Sequence, residues 1–113
     1  MKIVVCAKQV GTLGDEVEFT DDERGVDPDF LDFALNEGDT FATEEALQIR
    51  ERLGGDGEVV VVTAGDEDAE EAMRRCLAMG ADRGVRIAID EIADRDPISI
   101  ARALAQVVER EQP

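Results

Sequence analysis

The stretch Glu58-Val59-Val60-Val61-Val62-Thr63, closed by Gly65, decides the fold of this chain. An unbroken run of β-branched residues is typical of a strand that is buried on both faces of a parallel sheet. Ile3 to Ala7 is a shorter run of the same kind and predicts a central parallel strand near the start of the chain. Val85 to Ile89 predicts a third strand.

Three further segments have the residue spacing and end signals of helices. The first covers Thr43 to Leu53 and stops at two glycines. The second begins at the acidic residues Asp66 to Asp68 and ends at Gly80, and the third begins with Asp96-Pro97, an N-cap followed by proline. The apolar stripes expected to face the sheet are Ala42, Ala46, Ile49 and Leu53, then Ala69, Ala72, Met73, Cys76 and Leu77, then Ile98, Ala101, Leu104, Ala105 and Val108.

The order of these elements predicts the architecture. Strands that alternate with helices indicate an α/β fold with a parallel sheet between helical layers. Residues 1–113 are therefore expected to form a single three-layer α/β domain. Residues 11 to 35 are expected to be an irregular insert, with a small hairpin around Asp21 to Gly25 that Val17, Phe19 and Val26 suggest.

The charge composition excludes several classes of function. The chain has 28 acidic and 12 basic residues, a net charge of −16, and no His, Trp or Tyr. Such a chain repels nucleic acid and anionic membranes, and it cannot build a Ser-His-Asp site or a zinc site that uses histidine. Only Lys2 and Lys8 are lysines. An acidic surface poor in lysine suggests a halophilic protein, because dense counterions screen its self-repulsion.

The two cysteines, Cys6 and Cys76, lie far apart and form no metal-binding spacing. Two distant, unpaired cysteines favour a reducing, cytoplasmic location without disulfides. No apolar run approaches the roughly 20 residues of a membrane helix. Cys76 is expected in the core, and Cys6 is expected to line a site without being reactive.

The sequence lacks the glycine-rich loops of the common nucleotide enzymes. No GxGxxG follows the first strand, and no GxxxxGK[ST] occurs anywhere. A dinucleotide-binding dehydrogenase, a P-loop enzyme and an ATP-binding hydrolase are all disfavoured. No residue is a candidate for proton transfer, so the chain is not expected to be an enzyme with its own catalytic groups.

Three segments then point to a family. They are Cys6 to Val10, Leu35 to Ala46, and Leu77 to Gly84, which contains the run LAMGADRG. Their order and separation resemble the first half of the beta subunit of electron transfer flavoproteins, with a haloarchaeal-like composition. The resemblance extends over essentially all 113 residues, and LAMGADRG is its most specific part.

The resemblance implies an adenine nucleotide alpha-hydrolase-like, Rossmann-like fold, here expected to be truncated after the third strand and helix. In the family, an alpha subunit pairs with the beta subunit, and the heterodimer uses FAD to carry electrons from acyl-CoA or other dehydrogenases to a quinone reductase. The beta subunit also holds AMP or a second FAD. The positions that match nucleotide contacts, with the neighbours that border them, are Cys6, Lys8, Asn36, Glu37, Gly38, Asp39, Ala64 and Gly65.

The sequence also departs from the family pattern. Glu37-Gly38 stands where many members have Pro-Phe, and the later loops that wrap the phosphates and dock onto dehydrogenases are not in this sequence. We therefore expect this chain to supply one side of a crevice that other polypeptide completes.

Plainer interpretations remain open for the same residues. Lys8 can be a solvated residue after a strand, and Asn36 a helix-start residue. Met79 to Asp82 can be a turn in which Gly80 caps the helix and Asp82 forms local hydrogen bonds. The alternative function is a stand-alone nucleotide-binding or protein-interaction module. Its open edge at Ile3 to Val5 would invite a homodimer or a partner strand.

Overall fold

The computed structural model describes all residues, 1–113. It contains five strands and three α-helices, with short 3-10 turns at Pro28–Phe30, Glu67–Ala69 and Ile92–Asp94. In chain order the elements are β1 Lys2–Cys6, β2 Gln9–Leu13, β3 Leu31–Leu35, α1 Glu37–Arg52, β4 Glu58–Gly65, α2 Glu70–Met79, β5 Arg83–Ala88 and α3 Pro97–Glu111.

The main sheet is parallel and has the order β1-β4-β5. Lys2 pairs with Glu58, and Val60 pairs with Arg83. This confirms the predicted α/β fold with a Rossmann-like parallel sheet. The expectation that the first strand is central was wrong, because β1 lies at the edge and β4 lies in the middle. The valine run of β4 is almost completely buried, at 0–1% exposure, as a strand covered on both faces requires.

The helices lie in two layers. Val59 and Val61 pack with residues of α1 and α2 in the main core cluster. Val60 and Val62 point to the opposite face, where α3 crosses the sheet. Cys76 of α2 is fully buried, as predicted, and its sulfur lies 3.4 Å from the Thr43 hydroxyl, which donates to the Asp39 carbonyl at 2.8 Å.

Helix α1 begins at Glu37, six residues before its predicted start. The early start suits Glu37 and Asp39, since acidic side chains in the first turn are stabilised by the helix dipole. Its predicted apolar stripe was partly wrong. Thr43, Ala46 and Leu47 are buried, whereas Leu53 is 58% exposed.

Helix α3 has the predicted N-cap, with the Asp96 carboxylate accepting the Ser99 N–H at 2.9 Å. The predicted stripe was wrong in most of its positions: the half-buried side is made by Ile100, Ala103, Leu104 and Val107. The helix carries two interleaved apolar stripes, so spacing alone could not decide which one meets the sheet. Ile98, which belongs to the other stripe, is 65% exposed.

The insert is more regular than expected. Gln9–Leu13 and Leu31–Leu35 form an antiparallel pair that the sequence analysis missed. Between them, Phe19 and Val26 form an antiparallel bridge, which confirms the predicted hairpin. Strand β5 begins at Arg83, two residues before its predicted start. Its first two residues, Arg83 and Gly84, are not apolar β-branched residues, so the sequence pattern did not indicate them.

An ion network joins α3 to the amino end of the sheet. Glu111 contacts Lys2 at 3.2 Å and also pairs with Arg83, while Arg83 contacts Glu58 at 2.7 Å. Hydrogen bonds from Arg83 and Lys2 lower the pKa of Glu111 from 4.5 to about 2. The network therefore fastens the last helix to the first and last strands of the sheet.

Candidate functional site

The predicted site residues come from the carboxyl edge of the sheet. Cys6 ends β1 beside Val62, and the N–H of Ala7 continues the pairing by donating to the Val62 carbonyl at 2.9 Å. Ala64 and Gly65 end the neighbouring strand β4. Carboxyl ends of parallel strands are the usual place for ligands in open α/β sheets. The topology thus brings the two strand-end groups to one edge.

Two hydrogen bonds join the start of α1 to this edge. The backbone N–H of Lys8 donates to the Asp39 carboxylate at 2.7 Å, and the N–H of Asn36 donates to the Lys8 carbonyl at 2.9 Å. The segment after β1 and the first turn of α1 are therefore held side by side. This contact unites Lys8, Asn36 and Asp39, three of the predicted residues.

Asn36 occupies the N-cap position of α1, as its plainer interpretation predicted. Its side chain makes no capping hydrogen bond, so the amide keeps its donors and its acceptor unused by the helix. The amide nitrogen lies 3.6 Å from the position that a Cβ on Gly38 would take. The missing side chain at Gly38 therefore leaves room beside a free amide.

The charges at the helix start are mixed. Glu37 and Asp39 lie in the first turn of α1, and Glu37 is exposed. Lys8 is exposed, and its ammonium group forms no ion pair within 4.0 Å. Lys8 thus presents an unpaired positive charge beside these two acidic residues.

Cys6 is exposed and forms no disulfide. The thiol itself is partly buried, and this desolvation, with a smaller contribution from the negative charge of Asp39, raises the pKa of Cys6 above 9.0. Little thiolate forms near neutral pH, and the thiolate is the nucleophilic form. Cys6 therefore suits a contact surface better than covalent chemistry.

Gly65 is required by the backbone at the end of β4. Its φ is +155°, and a Cβ there would lie 2.8 Å from the Cβ of Ala69. Its carbonyl accepts from the Arg86 guanidinium at 3.0 Å and from the Ile89 N–H at 3.2 Å. Arg86, which the sequence analysis missed, thus fixes the strand end. An arginine within an otherwise apolar strand was the available signal.

The Thr63 hydroxyl lies just before Ala64, is fully buried, and has no hydrogen-bond partner.

Two open depressions lie further along the chain. One, of about 430 Å³, is lined by Asp66 to Asp68, Arg86, Ala88 and Asp90, and the other, of about 410 Å³, lies between Ala88 and Ile100. Neither of these two depressions includes a predicted site residue.

The most specific motif, LAMGADRG, has a structural role. Gly80 caps α2 with a φ of +130°, as expected. The expectation that Asp82 bonds locally was wrong. Its carboxylate accepts from the Val59 N–H at 2.8 Å and also from the guanidinium of Arg50, whose second nitrogen reaches the Gly80 carbonyl at 3.2 Å. Asp82 therefore joins α1, the start of β4 and the turn before β5.

Comparison with known proteins identifies the family. The protein-family model described as "Electron transfer flavoprotein domain" matches residues 29–113. The chain belongs to the electron transfer flavoprotein family. Among relatives named electron transfer flavoprotein subunit beta, it is 43% identical over 113 residues to that of Methylophilus methylotrophus. It is 42% identical over 109 residues to that of Mycobacterium tuberculosis and 31% identical over 113 residues to that of Dictyostelium discoideum.

The likeness to subunit beta extends over 100%, 94% and 100% of this chain, respectively. The chain spans 43%, 41% and 44% of the length of those three relatives. The family assignment thus agrees with the resemblance carried by the three motifs. None of the three α-helices is both long and apolar enough to cross a membrane.

Proposed function

We propose that this member of the electron transfer flavoprotein family acts as a beta-type component of a flavin-dependent electron carrier. It contributes one side of an adenine-nucleotide site at the carboxyl edge of its sheet. The observation that supports this role is the pair of hydrogen bonds joining Lys8 to Asp39 and Asn36, beside the strand end at Ala64.

The residues fit the adenosine part of AMP or FAD better than its phosphates. The Asn36 amide offers both donors and an acceptor for a base, and carboxylates such as Asp39 accept hydrogen bonds from ribose hydroxyls. Ala64 and Gly65 present little side chain, so a nucleoside can approach the backbone. Lys8 is the one basic residue among the predicted site residues that could meet a phosphate, and Glu37 opposes it.

FAD supplies the electron-transfer chemistry of such carriers when it is bound. The residues of this chain would bind and orient the nucleotide. The raised pKa of Cys6 argues against a covalent role. We therefore assign the chain to electron carriage without catalytic groups of its own.

A second subunit is part of the proposed role. The predicted site residues line neither of the two depressions described above. We propose that an alpha subunit completes the site and shares FAD, and that acyl-CoA or other dehydrogenases reach the carrier through this complex. The two free cysteines suit a cytoplasmic location.

Calorimetric titration with AMP and FAD, in concentrated KCl, tests this role. We expect the chain with its alpha subunit to bind nucleotide, and the chain alone to bind at least tenfold more weakly. Ala64→Leu should weaken binding at least tenfold, because the added side chain covers the backbone. Ala78→Leu on the exposed side of α2 is the matched control and should bind normally. Micromolar binding by the chain alone would contradict the one-sided site, and no binding with the alpha subunit would contradict the nucleotide role.

A second candidate function rests on the open edge of the sheet. β1 pairs only with β4, so its other side presents backbone donors and acceptors without a strand partner. Such an edge favours pairing with another chain. In this alternative the chain is an interaction module without redox activity, and it homodimerises through Ile3 to Val5. A dimer in sedimentation equilibrium that binds no nucleotide and that Val4→Pro dissolves would favour this function.

A further inference from the structure

The antiparallel pair β2–β3 exposes an apolar strip on one face. We call residues 9–35 the arm. Gly11 lies opposite Phe33 in the register, and Leu13 lies opposite Leu31, so these four positions share a face. The Cβ position of Gly11 is 3.0 Å from Leu31 Cδ1 and 3.4 Å from Phe33 Cε1. The missing side chain at Gly11 therefore lets the two apolar side chains converge over β2.

This strip is open to solvent. Leu13 is 66% exposed and Phe33 is 54% exposed. Phe19, at the bridge further along the arm, is also 66% exposed. The chain has four phenylalanines as its only aromatic residues, and its core cluster contains only Val, Ala, Leu and Cys. Aromatic side chains placed outside the core are typical of protein interfaces.

The arm is also the most acidic part of the chain. It contains nine acidic residues and one arginine, a net charge of −8 and half of the total of −16. The acidic residues are Asp15, Glu16, Glu18, Asp21, Asp22, Glu23, Asp27, Asp29 and Asp32. Apolar side chains surrounded by acids match a partner surface that is apolar at its centre and basic around it.

The outer part of the arm extends away from the remaining elements, while its base packs on the domain through contacts of β3 with α2 and of Leu35 with the main core cluster. Residues Gly11 to Phe19 are all exposed. The molecule measures 53 × 29 × 18 Å, and its radius of gyration is 15.6 Å. A compact domain of this length would have a radius of about 13 Å. The apolar strip is thus accessible to another macromolecule.

We propose that the arm docks onto a basic surface of a different protein chain, with Leu13, Leu31 and Phe33 at the centre of the contact. A second copy is a poor occupant, because two arms of charge −8 repel each other. The inference goes beyond the nucleotide role and does not depend on it.

A defined probe tests this chemistry. An 18-residue amphipathic peptide of Leu and Lys, with a fluorescent label, is titrated with the full chain and followed by anisotropy. A Leu and Glu peptide of the same pattern is the charge control. The double variant L13S/F33S removes the strip, and Phe41→Ser, which alters a phenylalanine that is 67% exposed on α1, is the matched control. Circular dichroism verifies that each variant is folded at the salt concentration used.

We expect the Leu and Lys peptide to bind the unmodified chain and Phe41→Ser within twofold of each other. L13S/F33S should bind at least tenfold more weakly, and the Leu and Glu peptide should not bind. The proposal is overturned by any of four results: no binding of the Leu and Lys peptide, equal loss in Phe41→Ser, no loss in L13S/F33S, or a homodimer that L13S/F33S dissolves.

Discussion

The carboxylate of Asp39 accepts the backbone N–H of Lys8 at 2.7 Å, joining the end of β1 to the first turn of α1. The same carboxylate acts on the Cys6 thiol, whose pKa is raised first by burial and then by this charge. One side chain thus sets both the geometry and the electrostatics of the predicted nucleotide surface.

Asp39→Asn should lower the pKa of Cys6, because it removes a negative charge that opposes the thiolate. Burial remains, so the pKa should stay above its ordinary value of 9.0. Reaction with a disulfide reagent, measured as a function of pH, reports the change as a faster rate at each pH below the pKa. Asp15→Asn, an exposed acid in the arm, is the control and should leave the profile unchanged. Cys6→Ser should abolish the signal, since Cys76 is fully buried. An identical profile in Asp39→Asn would show that the charge does not reach the thiol.

Asp82→Ala should destabilise the fold more than Asp82→Asn. The alanine leaves the Val59 N–H without its side-chain acceptor, which costs about 1–2 kcal/mol. The asparagine keeps an oxygen for that N–H and loses only the charge that Arg50 contacts. Urea unfolding in concentrated KCl measures both, with the exposed Asp56→Ala as a control. Equal unfolding midpoints for the alanine and asparagine variants would contradict the role of the N–H contact.

Gly84→Ala should destabilise the fold by about 1–3 kcal/mol, as overpacking does. A Cβ at Gly84 overlaps the thioether of Met73, which packs over β5. Shortening that side chain should relieve the clash, so Gly84→Ala should cost less in a Met73→Ala background. Gly25→Ala is the matched control, because a Cβ there meets nothing within 4 Å. Thermal unfolding of the four combinations of positions 73 and 84 measures the coupling. Additive effects would show that the two sites do not contact each other.

Glu111→Gln should destabilise the protein in a pH-dependent way. The folded pKa of Glu111 is about 2, against an ordinary value of 4.5, so the ionised form is favoured by folding. Its contribution is fully present above about pH 4.5 and is lost as the pH falls towards 2. The difference in urea midpoint between the unmodified chain and Glu111→Gln should therefore shrink over this range. Glu109→Gln, on an exposed part of α3, is the control. A constant difference from pH 7 to pH 2 would contradict the depressed pKa.

The melting temperature should rise with KCl concentration. A chain with a net charge of −16 repels itself, and salt screens that repulsion. The nine cation–carboxylate pairs of the structure weaken in salt, and those with both partners exposed, such as Arg52–Glu45 and Arg74–Glu71, contribute little to begin with. Calorimetry from 0.1 to 3 M KCl measures the balance. A melting temperature that does not change would refute the proposed adaptation to high salt.

Continuous apolar runs made the main sheet predictable. Four successive valines in a strand are all buried only when both faces of that strand are covered, and β4 lies in such a position. The apolar face of α2 was also predictable, because Ala72 and Cys76 belong to a single stripe. In α3 two stripes compete, and only the position of the helix on the sheet selects the one that contains Ile100.

Other features depend on contacts that sequence spacing does not contain. The Asp82 carboxylate accepts hydrogen bonds from Val59 and Arg50, which are distant from it in the chain. The pair β2–β3 was missed because Gly11 and Asp32 interrupt the apolar pattern of a strand. The two segments are strands because they pair with each other across the insert. For the candidate site, the motifs indicated the segments, while hydrogen bonds between Lys8, Asn36 and Asp39 bring them together.

The ion network around Glu111 lies at the amino end of the strands, whereas the predicted nucleotide surface lies at the carboxyl end. The charges that fasten the last helix and the proposed nucleotide surface thus lie at opposite ends of the sheet. The charges at Lys2, Glu58 and Arg83 can therefore be changed to adjust thermal tolerance without altering the proposed surface. In the proposed nucleotide role, affinity is tuned separately, at Asn36.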